Sequence, residues 1–166
     1  MHKDGLPQAL SSVETPFVAM SVGIPGSGKS TVLAELSDRT GVIRINPDQI
    51  REELTGSEID QSKNKEVWEE TYRRVQGSLV RGESVIVDAT HAEAFRRPET
   101  VKMYRDMGAK SVLALNFTVG LGTAKERNRG RTRVVPDYAI EKMHQSLAKN
   151  PASTDEGFDA VIEIDE

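Results

Sequence analysis

Short apolar runs alternate with amphipathic stretches along most of this chain. Phe17-Val18-Ala19-Met20-Ser21-Val22 reads as a mostly apolar strand, and Thr31 to Arg39 as a helix with Leu33 and Leu36 on one face. Val42-Ile43-Arg44-Ile45 predicts a second strand, followed after Asn46-Pro47-Asp48 by a short helix from Gln49 to Leu54. In the helix from Lys65 to Arg81, Trp68, Tyr72, Val75 and Leu79 follow a +4, +3, +4 spacing that assigns them to one face, read as core. Ser84 to Asp88 is a buried-looking strand, Arg96-Arg97-Pro98 leads into a helix through Met107, and Ser111 to Val119 is a fourth strand. A helix after Pro136 runs to about Lys149, and Ala160 to Ile164 is the last strand. This alternation predicts an α/β fold, a parallel sheet of about five strands with helices on both faces.

The punctuation after the first strand carries chemistry. Gly23-Ile24-Pro25-Gly26-Ser27-Gly28-Lys29-Ser30-Thr31 is Gly, four residues, then Gly-Lys-Ser, between a strand and a helix. Glycines let the backbone turn tightly and bring N–H groups close to phosphate oxygens, and the helix N-terminus adds partial positive charge. Gly26, Ser27, Gly28, Lys29, Ser30 and Thr31 are therefore the expected nucleotide-binding residues. Lys29 would reach the β- and γ-phosphates, and the Ser30 hydroxyl would ligate Mg²⁺. ATP, or another nucleoside triphosphate, is the expected phosphate donor.

Asp88 ends an apolar strand, as a carboxylate holding a Mg²⁺-bound water does, with Thr90 and His91 in the loop beyond it. His91 by itself reads as polar surface. Asp48 lies just past a strand's C-terminal end, the edge of a parallel sheet where ligands bind. A carboxylate there, outside the metal position, can accept a proton from an attacking hydroxyl. Arg51 follows one helical turn later and could hold an acceptor phosphate. Residues 123 to 133 carry Lys125, Arg127, Arg129, Arg131 and Arg133, and read as a helical basic lid at about 122–134 whose arginines stabilise transition-state charge.

Composition narrows the class. The 166 residues fit one domain, expected at 16–166, behind a polar lead-in over 1–15 read as flexible. A net charge of −4 argues against a wholly basic nucleic-acid-binding surface, while leaving room for a local basic groove. There is no cysteine, hence neither a disulfide framework nor a cysteine zinc site. No apolar run follows Lys3, so no signal peptide is expected. No stretch approaches membrane-span length, and a cytoplasmic protein without a membrane partner is the expectation.

Taken in order, the Gly-Ile-Pro-Gly-Ser-Gly-Lys-Ser-Thr loop, Asn46-Pro47-Asp48-Gln49-Ile50-Arg51, Val87-Asp88-Ala89-Thr90-His91, Glu126-Arg127-Asn128-Arg129-Gly130-Arg131 and Val135-Pro136 resemble the kinase domain of phage-type polynucleotide 5′-kinase/3′-phosphatase. The resemblance covers about Phe17 to Leu147. It implies an adenylate-kinase-like P-loop fold and transfer of the ATP γ-phosphate to the 5′-OH end of RNA or DNA. By it Lys29, Asp48, Arg127 and Arg131 are catalytic, with Arg131 also on the nucleotide. Arg51, Asp88, Thr90 and Val135 meet the acceptor, and Ser30 and Asp88 (through water) serve the metal. No phosphatase segment is seen, so phosphorylation alone is implied. Pro47 also stands where the phage kinase has a basic residue. Two other readings stay open: a small-molecule P-loop kinase acting on a nucleoside, sugar, antibiotic or nucleotide-sugar, and a nucleotide-binding switch without transfer activity.

Overall fold

The computed structural model describes residues 1–165; the expected domain end at residue 166 lies outside them. Five strands, β1 (Phe17–Val22), β2 (Ile43–Ile45), β3 (Val85–Val87), β4 (Ser111–Phe117) and β5 (Ala160–Ile164), form one sheet in the order β2-β3-β1-β4-β5. Every strand pairing is parallel. Among the described residues there are seven α-helices: α1 (Leu6–Ser11) ahead of β1, and between the strands α2 (Lys29–Thr40), α3 (Pro47–Thr55), α4 (Asn64–Val80), α5 (Arg97–Asp106), α6 (Leu121–Arg129) and α7 (Asp137–Lys149). The expected α/β architecture is therefore the observed one, with element ends shifted by up to two residues except in the lid, expected to be helical over about 122–134, where the helix stops at Arg129.

β1 is buried along its whole length, and its alternate residues feed two cores. Val18, Met20 and Val22 pack with Ile50 of α3, Val75 and Leu79 of α4, and Tyr104 of α5. Phe17 and Ala19 face the opposite layer, with Leu33 and Leu36 of α2. A parallel sheet covered on both faces needs such unbroken apolar strands. A third, smaller cluster joins Ile24 of the glycine-rich loop to Ala124 of α6 and Ile140 of α7.

The N-terminal segment departs from expectation. Residues 1–15 are not a flexible lead-in: a 3₁₀ turn (Lys3–Gly5) runs into α1, and Leu6 and Leu10 are buried in the α2-side core. His2 bridges to Asp165 beside β5. The Leu6–Leu10 spacing is one helical turn, and hydrophobic burial of that face fixes a segment whose overall polarity suggested a tail. Among the described residues no helix is long and apolar enough to cross a membrane.

Candidate active site

The loop between β1 and α2 closes around its own lysine. Lys29 Nζ donates to the carbonyl oxygens of Gly23 (2.9 Å) and Ile24 (2.8 Å) and approaches Ser27 Oγ (3.3 Å). Burial is the main cause lowering its pKa to about 8, and Arg131 lowers it further, while Asp88 and Asp48 act in the opposite sense. That balance puts three of the expected site residues within electrostatic reach of one ammonium.

Gly26 and Gly28 both take the left-handed conformation, at φ 81° and 85°. They differ in what surrounds them. A Cβ on Gly26 would lie 2.2 Å from the Ala124 carbonyl oxygen, whereas on Gly28 the nearest atom would be Arg127 Nη1 at 3.7 Å. The base of α6 is thus seated on the loop's backbone, and Arg127 lies over the start of α2.

Asp48 is positioned by a cap. Asn46 Oδ1 accepts from the Asp48 amide at 2.9 Å, Pro47 occupies the first helical turn, and Asp48 opens α3 at the cleft. Two guanidiniums donate to Asp48 Oδ1: Arg51 Nη1 at 2.5 Å and Arg133 Nη1 at 2.7 Å. Arg51 is buried and also donates to Asn64 Oδ1 at 3.3 and 3.2 Å, tying α3 to the start of α4. Its arginine is therefore no free surface group, and an acceptor phosphate would have to share it with Asp48.

Asp88, its side chain 2% exposed, is held by Arg44, whose Nε and Nη2 donate to Oδ2 at 3.0 and 2.7 Å. Register explains the pairing. Arg44 lies opposite Ile86, and Asp88 follows two residues later on the same face. A charged residue flanked by isoleucines in a three-residue strand was the available signal, and the sequence reading passed over it. Ser30 and Asp88 both line the cleft. A hydroxyl and a carboxylate are hard oxygen donors suited to Mg²⁺, whose other ligands are phosphate oxygens and water. Such a site does not require a cluster of protein carboxylates, and among the described residues no group of three could hold an ion.

The loop after β3 is pinned to the nucleotide loop, where the Gly23 amide donates to the Thr90 carbonyl oxygen at 3.0 Å. His91 is not mere polar surface. Its φ is 44°, its Nδ1 sits 2.6 Å from the Ser21 carbonyl oxygen, and its Nε2 is closed off without a partner. Nδ1 therefore carries the proton, and burial pushes the ring's pKa down to about 4. Arg97, fully buried, donates to the His91 carbonyl oxygen (3.1 Å), to Glu156 Oε2 (2.9 Å) and to the Asn150 carbonyl oxygen (2.6 Å). It fixes this loop to the far end of the chain.

In the lid, α6 ends at Arg129 and the chain continues irregularly to α7. Asn128 is buried and brackets Val135, its Nδ2 donating to the Val135 carbonyl oxygen (2.6 Å) and its Oδ1 accepting the Val135 amide (3.0 Å). Arg127, Arg131, Arg133 and Val135 line the cleft; Arg129 instead points to Asp137 at 3.4 Å. Gly26, Ser27, Gly28, Thr31 and Thr90 line it as well. Arg133 reaches Asp48, and the sequence reading did not single it out. Trp68 differs from expectation: it is half-buried in the cleft wall. Tyr72 lines the cleft too but also packs against the core that Val75 and Leu79 of the same helix join.

A family model described as an AAA domain matches residues 18–150. The chain belongs to the AAA domain family. Its glycine-rich loop and five-stranded parallel sheet give this AAA domain the α/β fold of P-loop kinases, for which a nucleotide and, as a rule, Mg²⁺ are implied. A chain of the Pnkp1/Rnl/Hen1 RNA repair complex superposes with a TM-score of 0.73 at 26% identity, over 89% of this chain and 48% of that one. The AAA domain thus spans about half the length of that relative. A putative kinase from Chloroflexus aurantiacus matches at TM-score 0.69 and 14% identity, over 92% of this chain and 89% of that one. A shikimate kinase from Acinetobacter baumannii matches at 0.56 and 14%, over 96% and 88%. These last two share the fold.

Proposed function

We propose that this domain is an ATP-dependent polynucleotide 5′-hydroxyl kinase. The observation that carries the reading is Asp48 with Arg51 and Arg133 on one carboxylate oxygen, across an open cleft from Lys29. The cleft measures about 1390 Å³, more than the several hundred to roughly 1,000 Å³ that encloses one small molecule. A nucleotide and a strand end fit such a volume together. The relative in an RNA repair complex supports the same choice of acceptor.

In this reading Asp48 takes the proton of the 5′-hydroxyl as its oxygen bonds to the γ-phosphorus. The bond from that phosphorus to the β–γ bridging oxygen breaks, and ADP leaves. Lys29, Arg127 and Arg131 carry the charge of the transferring group, Arg51 binds an acceptor phosphate, and Thr90 and Val135 line the acceptor's path. Ser30, and Asp88 through water, would hold Mg²⁺, which when bound would supply neutralisation of the phosphate charge.

The test is label transfer from γ-labelled ATP with Mg²⁺ to 5′-OH RNA and DNA oligonucleotides, wild type beside Asp48→Asn. The expected result is label on the 5′ end for wild type and loss of at least 100-fold in kcat for Asp48→Asn, on the order of a general-base contribution, with ATP binding unchanged. Acceptor KM should rise with salt. Full activity in Asp48→Asn would overturn the base assignment. Absence of label on every oligonucleotide, with ATP bound, would overturn the polynucleotide reading in favour of a small acceptor.

A further inference from the structure

The face of α4 toward the cleft is aromatic. Trp68 and Tyr72, one turn apart, have ring centroids 5.7 Å from each other at 39°, and the His91 ring meets the indole edge-on at 6.4 Å and 66°. Neither neighbour lies parallel on the indole, so its flat surface is not consumed by stacking within the protein. Tyr72 is itself braced edge-on by the buried Tyr104, at 6.3 Å. His91 stays neutral near pH 7 and adds no charge to this wall. A core would have no use for a half-buried tryptophan opening onto a cleft.

Position identifies the occupant. The sheet order places β2 and β3 on one side of β1 and β4 on the other. The aromatic wall follows from the β2–β3 side, with Asp48 and Arg51; α6, after β4, packs on the nucleotide loop from the other side. Arg51 connects to the wall directly, since its second partner, Asn64, is the first residue of α4, one turn before Trp68. Lys65 lines the same stretch of cleft, its Nζ 3.8 Å from Glu69, which lines it too. A phosphate anchor for the backbone and a flat indole for a base, one beside the other, are what a single-stranded nucleic acid requires. A sugar carries no base to stack there, and a nucleoside carries a base but no phosphate for Arg51.

We propose that Trp68 is the stacking platform for a base of the acceptor strand, adjacent to the phosphate on Arg51, with Tyr72 holding the indole in place. The inference rests on the polynucleotide reading above. It adds a binding site for a base away from the reacting hydroxyl, and one that tolerates any base, because every base has a π-face.

Trp68 is the chain's single tryptophan, so its fluorescence reports this site alone. A 5′-OH oligonucleotide added without ATP should quench it, and ATP alone should not. Trp68→Ala should raise the oligonucleotide KM roughly 5- to 150-fold, the range for losing one stacked base, with kcat and ATP affinity near wild type. Trp68→Phe should recover most of the loss. Acceptors with one abasic position among their first three nucleotides locate the contact: one of them should bind wild type weakly and be indifferent to Trp68→Ala. If wild type transfers label but Trp68→Ala leaves KM unchanged, the platform is refuted and the kinase reading stands. If ATP rather than oligonucleotide quenches Trp68, the platform serves the donor base and the inference fails. If wild type labels no oligonucleotide, the function proposal and the platform fall together.

Discussion

Gly26 and Gly28 have the same motif status and almost the same φ, yet the structure predicts different consequences for adding one methyl group to each. Gly28→Ala meets open space, its nearest atom being the flexible end of Arg127 at 3.7 Å. Its cost is the left-handed backbone, about 1–2 kcal/mol. For a domain of this size that corresponds to a drop of about 2–8 °C in Tm. Gly26→Ala bears the same backbone cost and adds a backbone collision, with its Cβ 2.2 Å from the Ala124 carbonyl oxygen and 2.9 Å from the carbonyl carbon. Neither atom can rotate away. The helix α6 must retreat by about an ångström, which loosens Ala124 from Ile24 and Ile140.

Overpacking of this kind costs about 1–3 kcal/mol, giving about 2–5 kcal/mol in total and a Tm lower by roughly 4–20 °C. The more specific readout is hydrogen exchange. Amides of residues 121–129 should exchange faster in Gly26→Ala and remain near wild type in Gly28→Ala. The lid arginines on and beyond α6 should then follow, and ATP affinity should fall further in Gly26→Ala. Equal melting losses with equal α6 protection in the two variants would refute the docking of α6 on the loop.

Two further outcomes follow from buried charge. Lys29 has a folded pKa of about 8 against an unfolded value near 10.5, so the unfolded chain binds more protons between those values, and the stability of the ATP-free protein should rise from pH 8 to 10.5. ATP affinity should fall over the same window as the ammonium is lost, and Lys29→Met should remove both trends in melting and titration series. Arg44→Met strands the buried Asp88 carboxylate and should cost about 3–5 kcal/mol, read as a fall of roughly 6–20 °C in Tm, whereas an Arg44→Met/Asp88→Leu pair should recover part of it. A Tm within two degrees of wild type for Arg44→Met would show that the ion pair does not hold Asp88.

What was legible in the sequence was what local chemistry dictates. The phosphate loop could be read because glycine, lysine and serine at fixed offsets leave few alternatives between a strand and a helix. The parallel sheet could be read because mostly apolar short strands alternate with helices along the chain, and β1 is buried at every position. Asn46-Pro47-Asp48 announced both a helix start and a carboxylate at the sheet's ligand-binding edge, and the cap is made as its residues suggest. The basic lid was visible as a segment, although not which of its arginines turns toward Asp48.

The rest depended on contacts that topology creates between distant positions. Arg133 and Asp48 are 85 residues apart, and Arg44 and Asp88 are 44 apart. Only the pairing of β2 with β3, and the return of the lid over the cleft, brings them together. The N-terminal residues show the same limit, since nothing local says that Leu6 and Leu10 find a core against α2. Trp68 is the most instructive case. Its place in the +4, +3, +4 stripe is real, but helical periodicity specifies a direction and not what lies there. The upper part of that stripe meets the cleft and the lower part, Val75 and Leu79, meets the sheet. An aromatic residue satisfies either surroundings, so the stripe reads the same in both. The difference is made along the length of α4, whose N-terminal turns, with Trp68, line the cleft while Val75 and Leu79, further along, pack with Val18 and Val85 of the sheet. Which of the two surroundings an aromatic residue meets is set by the placing of the whole helix, and no spacing within the stripe records it.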